Sequence, residues 1–118
     1  MEWRAEPIAS DFGTLISYKN DRLYYTFLVS AAEANALGDY LSKSGFFDGT
    51  GKLVQLTKSG RAYQFCAPVN QGFDRDPETL KVSEAIAREL SAEVFHSFPT
   101  EVHLCDGNLV TLHVVIPK

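Results

Sequence analysis

In the stretch KLVQLTKSGRAYQFCAPV (Lys52 to Val69) apolar residues return at every second position on both sides of Ser59-Gly60. Val54 and Leu56 alternate with Gln55 and Thr57. Tyr63, Phe65, Ala67 and Val69 alternate with Gln64, Cys66 and Pro68. A period of two sends one set of side chains to each side of a strand, and the Gly turn joins the arms into a hairpin with one apolar face. Such a face must be buried under a second layer. Pro68 cannot donate to a ladder, which predicts a strand end or an edge.

The flanking sequence supplies that layer. Ser30-Ala-Ala-Glu33 has capping-box spacing, Ala34, Leu37, Leu41 and Ser44 follow at helical intervals, and Gly45 suits a left-handed stop. The spacing predicts a helix over 30–44. Asp76 as N-cap and Pro77 as first helical residue predict a second helix over 77–95, with Val82, Ala85, Ile86, Leu90 and Val94 as its apolar stripe. TLISY and LYYTFLV read as strands around KNDR, and EVHLC and LVTLHVVI as strands around DGN.

The order is therefore ββαββαββ. This is an α+β, two-layer sandwich: a mainly antiparallel sheet with two helices side by side on one face and the other face open. Its centre reads as a ferredoxin-like βαββαβ core with an extra strand at each end. One core is expected to hold Leu37, Leu41, Ile86, Leu90, Val54, Phe65, Val102 and Leu112. Residues 30–69 and 77–116 share an α-β-β order, with Gly60 answering to Gly107, which suggests an internal repeat within a single domain spanning 1–118.

The chain has 118 residues, 45% of them hydrophobic and 22% charged, enough for one core without a disulfide or a structural metal. A net charge of −4 argues against a nucleic-acid partner. No run approaches the ~18 apolar residues of a membrane span. The start, MEWRAEPIAS, lacks a secretory pattern, so the expected location is cytoplasmic. Cys66 and Cys105, both inside predicted strands, are expected to remain thiols.

The chemistry-bearing residues concentrate in EVHLCDGNLVTLHVV (Glu101 to Val115). A three-residue loop, 106–108, would pair Cys105 with Leu109, Leu104 with Val110, Val102 with Leu112 and Glu101 with His113. The core face would then be Val102, Leu104, Val110, Leu112 and Val114. The opposite face would carry the binding candidates Glu101, His103, Cys105, Thr111 and His113. A flat row of side chains does not converge as tetrahedral coordination requires, so no metal and no cofactor are expected there. A Glu101–His113 pair is the expected arrangement. A Cys-His nucleophile built on Cys105 would need an oxyanion hole and a thiolate-stabilising environment, which the sequence does not supply.

Other motifs reduce to structure. DGTGK (Asp48 to Lys52) lacks the Ser or Thr and the following helix of a phosphate loop, and reads as a turn. DRDPE (Asp74 to Glu78) lacks the glycine and last glutamate of a calcium loop, and reads as a helix cap. Tyr24 and Tyr25 lack the basic surround of an RNA-stacking platform, and one of them reads as core.

LYYT (Leu23 to Thr26), LGDYLSKSGFFDG (Leu37 to Gly49), VQL and VHLCD…LVTLHVV together resemble a group of small bacterial domains to which no activity attaches. The resemblance covers residues 23–115 and implies no substrate and no site residues. The expected function is a non-catalytic binding or assembly module that uses an open sheet face or an edge strand, with a protein partner or a second copy. One alternative is a small enzyme or metal-binding domain centred on Glu101, His103, Cys105 and His113. Another is an acidic, immunity-type antagonist of a basic partner.

Overall fold

The computed structural model describes residues 12–117, so the MEWRAEPIAS segment lies outside the described residues. The elements are β1 (Thr14–Tyr18), β2 (Asp21–Tyr25), α1 (Ala31–Ser44), β3 (Leu53–Ser59), β4 (Ala62–Pro68), α2 (Pro77–Glu93), β5 (Thr100–Cys105) and β6 (Thr111–Val115). A 3-10 turn at Phe73–Arg75 precedes α2. This is the expected ββαββαββ, α+β order. β2 is shorter than LYYTFLV, because a turn closed by the Val29 amide on the Thr26 carbonyl ends it.

Both helix starts follow their signals. The Ser30 hydroxyl accepts from the Glu33 amide while the Glu33 carboxylate accepts from the Ser30 amide, and Gly45 closes α1 at φ 86°. Asp76 caps α2 through the Thr79 amide, and Pro77 opens it. α2 ends at Glu93 rather than 95; Val94 and Phe95 fold back with their amides on the Leu90 carbonyl.

The six strands lie in the sheet in sequence order, β1 to β6. Hairpins join β1/β2, β3/β4 and β5/β6, and the helical crossovers join β2/β3 and β4/β5 as parallel neighbours. A ferredoxin-like, split arrangement places another strand between those a helix connects. Here each crossover joins immediate neighbours, so the expected element order holds but the ferredoxin-like arrangement does not. β2 and β4 run in opposite directions, the chain advances the same way along the sheet at both crossovers, and both helices lie on one face. The two crossovers are therefore of opposite hand. One of them is the left-handed form that only about 2% of such connections adopt.

The core sits between that face and the helices. Leu37, Leu41, Leu90, Val54, Phe65 and Val102 share it as expected, and Ile86 packs against it partly buried. α1 approaches β1 closely because Gly38 has no side chain; a Cβ there would fall 2.0 Å from the Tyr18 hydroxyl. The Tyr40 hydroxyl donates to Glu89, tying α1 to α2. At the other end of α2 the Phe95 ring stacks on Tyr63, centroids 3.9 Å apart. The Tyr63 hydroxyl meets Glu33, which Lys58 also pairs at 3.2 Å. Burial raises the Glu33 carboxyl. The bonds it accepts from the Ser30 amide, Tyr63 and Lys58 outweigh that and bring it down to about 2.

Asp21, read from sequence as a turn former, begins β2 instead and is fully buried. Its carboxylate accepts the amides of Gly49 (2.6 Å), Gly51 (3.0 Å) and Lys52 (2.7 Å). Burial pushes its acidity the other way, but those three amides win and hold the carboxyl below its ordinary value. The DGTGK segment is thus a turn pinned to the sheet, followed by β3 as its sequence indicated.

Candidate functional site

The β5/β6 hairpin departs from the expected register. Val102 stands opposite Val115, His103 opposite Val114, Leu104 opposite His113 and Cys105 opposite Thr111, with a bulge at that last step. The cause is the connection, which spans 106–110 rather than three residues. The Asp106 carboxylate accepts the Asn108 and Val110 amides, the Asp106 amide donates to the Val110 carbonyl, and Leu109 sits at φ 64°. Each extra loop residue slides β6 along β5, and the bulge absorbs one more. The Glu101–His113 pair therefore does not form. Val110, Leu112 and Val114, assigned above to the core, are 57%, 47% and 39% exposed.

Four of the five candidate residues do come together, on the sheet face away from the helices. His103 Nε2 lies 3.0 Å from Glu101 Oε1, and Nδ1 lies 3.1 Å from the Thr111 hydroxyl. With the proton on Nε2, one neutral tautomer donates to the carboxylate and accepts from the hydroxyl. Gln64 reaches the same Glu101 oxygen at 3.4 Å. Cys105 is fully buried, its thiol 3.3 Å from the His103 carbonyl. His113 is exposed on the edge strand, across from Leu104, and takes no part.

This face is less open than its sequence suggested: Tyr24, Cys66, His103 and Cys105 are all buried. Tyr24 meets the Phe12 ring edge-on, and Gln55 donates to the Phe12 carbonyl at 2.7 Å. Cys66 stands opposite His103 and Cys105 opposite Pro68, so the two thiols share the face on a diagonal. Both are free. The hydrogen bond to Cys105, and then burial, push the Cys66 thiol up. Both His103 nitrogens are engaged within the sheet, one by a carboxylate and one by a hydroxyl. Among the described residues no three His, Cys, Asp or Glu side chains converge to hold a metal ion. The cluster has the geometry of a satisfied polar network that fixes β5 against its neighbours.

Sequence reasoning missed a different feature on the helix face. The N-terminal half of α2 stands off the sheet and leaves a groove of about 650 Å³. Val54, Phe65, Ala67, Val102 and Leu104 line the sheet side; Thr79, Val82, Ser83 and Ile86 line the helix side; Phe46 and Lys52 lie at the end formed by the pinned turn. The Ser83 hydroxyl donates to the Thr79 carbonyl at 2.7 Å, so it presents little polarity to the groove. A signal was available: positions 79, 82, 83 and 86 form one helical stripe that carries Thr and Ser where a sealed interface would carry large apolar residues. A concave, mainly apolar volume of this size is the usual form of a ligand site.

The AF_1994_N family N-terminal domain matches residues 16–115 of this sequence. No curated protein matches, and no solved structure matches.

Proposed function

This chain belongs to the AF_1994_N family, and we propose that it works as a non-catalytic assembly module whose β6 edge packs against β6 of a second copy. One observation carries the reading. Leu112 and Val114 on the β6 edge strand, with Val110 and Ile116 flanking its two ends, are all exposed, Ile116 at 60%. Isolated exposed apolar residues are ordinary, whereas four in one seven-residue stretch form a patch, and patches mark interaction surfaces.

The chemistry of the patch selects the partner. From Gly107 to Pro117 the sequence has no Asp, Glu, Lys or Arg, in a chain of net charge −4. A basic partner, as an immunity-type antagonist would require, finds no acidic surface there. A second copy of this acidic chain meets least repulsion at this neutral stretch. Together with Phe73, whose turn lies against β6, the exposed parts of these side chains amount to roughly 450 Å², against the ~800 Å² per partner of a standard interface. That supports a reversible dimer. The bulge interrupts the outer ladder, which disfavours open-ended edge-to-edge growth and leaves side-chain packing about a twofold axis as the mode of contact.

The test is sedimentation across a hundredfold range of protein concentration. The mass should rise from one chain toward two, and Leu112→Glu or Val114→Glu should hold it at one chain with the fold unchanged, because both side chains are exposed. A single-chain mass at every concentration, or a dimer indifferent to both substitutions, would overturn the proposal.

A further inference from the structure

We infer that the groove beneath the N-terminal half of α2 is a binding site for a small amphiphile with a single apolar chain and an anionic head. The inference stands apart from the assembly proposal: it uses the helix face, whereas assembly uses the β6 edge.

The walls are held from outside the groove, so its volume is built in. α2 is fixed at its far end by Leu90 and the Phe95–Tyr63 stack, and the 3-10 turn that precedes its start lies against β6. The turn at the mouth is fixed by the three amides that Asp21 accepts. Between these anchors three of the facing residues are small, Ala67 on the sheet and Thr79 and Ser83 on the helix. Anchors that prevent collapse, combined with small residues that cannot fill the space, leave apolar surface facing water along the rim, at Ala67, Val82 and Ile86, above a floor of Val54, Phe65, Val102 and Leu104 that is at most 2% exposed. Val82 is 49% exposed for this reason. An apolar occupant would remove that surface from water.

Size decides the kind of occupant. The opening is a slot between α2 and the sheet above a floor that water itself scarcely reaches, too narrow for an incoming helix about 10–12 Å across with its side chains. A single flexible chain fits a narrow apolar slot that a helix cannot enter.

Charge decides the head. Lys52 is the one cation among the residues that line the groove. Its ammonium sits at the mouth, 5.7 Å from the Phe46 ring centroid, 3.1 Å from Asp48 Oδ1 and 3.2 Å from the Thr50 hydroxyl. The Asp48 pair is solvent-accessible on both sides, and such pairs are weak enough for an incoming carboxylate or phosphate to compete with them. The acid that lines the groove, Glu78, is exposed in the first turn of α2 and would oppose a cationic head.

Calorimetric titration with decanoate, decanol and decyltrimethylammonium separates the parts of the inference. One decanoate per chain should bind. Decanol should bind more weakly and the cation least. Lys52→Met should weaken decanoate by about tenfold, the worth of one charge-assisted contact, and leave decanol unchanged. Val82→Trp, which adds bulk at an exposed wall position, should remove both without lowering the melting temperature. Ala67→Leu should do the same from the sheet side. No saturable binding, a preference for the cation or for decanol, or decanoate binding that survives both filling substitutions would overturn the inference.

Discussion

The two halves of α2 lie on the same sheet, in the same helix, and behave as different kinds of structure. The C-terminal half is sealed. Ala87, Leu90, Val94 and Phe95 are buried, an aromatic stack closes the end, and the polar atoms beyond it are bonded among Glu33, Lys58 and Tyr63. The N-terminal half stands on small residues over an apolar groove whose rim at Val82 meets water while its floor is buried. One face of one helix therefore serves stability at one end and leaves a cavity at the other. What divides them is side-chain volume, since periodicity is continuous along the helix.

The sharpest test of that division compares two truncations eight residues apart. Leu90→Ala, at the sealed end, should destabilise by about 2–5 kcal/mol, through lost transfer energy and the cavity left behind. Val82→Ala, on the same helix but already half in water, should cost under about 1 kcal/mol. Denaturant unfolding of both proteins measures the difference, and equal losses would mean that the groove closes in solution.

Enlargement makes the converse test, with a smaller effect. Ala87→Leu pushes extra volume into the sealed interface and should cost about 1–3 kcal/mol. Ala67→Leu adds the same atoms where space exists and should leave stability within about 0.5 kcal/mol of the parent. A large loss at residue 67 would show that the hollow is smaller than described.

The smallest expected effect is in the acid limb. Glu33 belongs to the sealed end, and its carboxyl is held down at about 2. A folded-state value below the unfolded one stabilises the protein above the unfolded value, near 4.5. That contribution fades as pH falls from there through about 2. Thermal melts from pH 5 to pH 2 should show Glu33→Gln with a shallower acid decline than the parent. Identical slopes would remove Glu33 from the account of the sealed end.

Much of this architecture was legible in the sequence, and the exceptions have specific causes. Both helices were readable because Ser30, Gly45, Asp76 and Pro77 act within a few residues of their own positions. The β3/β4 hairpin was readable because Val54, Leu56, Tyr63 and Phe65 alternate without interruption. The last hairpin was misregistered because its loop is set by Asp106 capping two amides and by a positive φ at Leu109, neither of which the apolar pattern records. That slip moved His113 out of the candidate cluster, while Glu101, His103, Cys105 and Thr111 stayed together through positions on adjacent strands. Asp21 was mistaken for turn chemistry because its partners lie about thirty residues along the chain. The groove was overlooked because Thr79 and Ser83 were not weighed as gaps in an otherwise apolar stripe.

The order of the strands also bears on how the chain reaches this state. Every strand pairs with its neighbours in sequence, so each ladder closes across one tight turn or one helical crossover, and none spans the whole chain. Short loops cost little entropy to close, and chains whose contacts are local tend to fold fast for their strand content. The sheet can therefore grow outward from the central β3/β4 hairpin, one adjacent segment at a time. The crossover of rarer hand is a step at which that growth must take the less favoured turn.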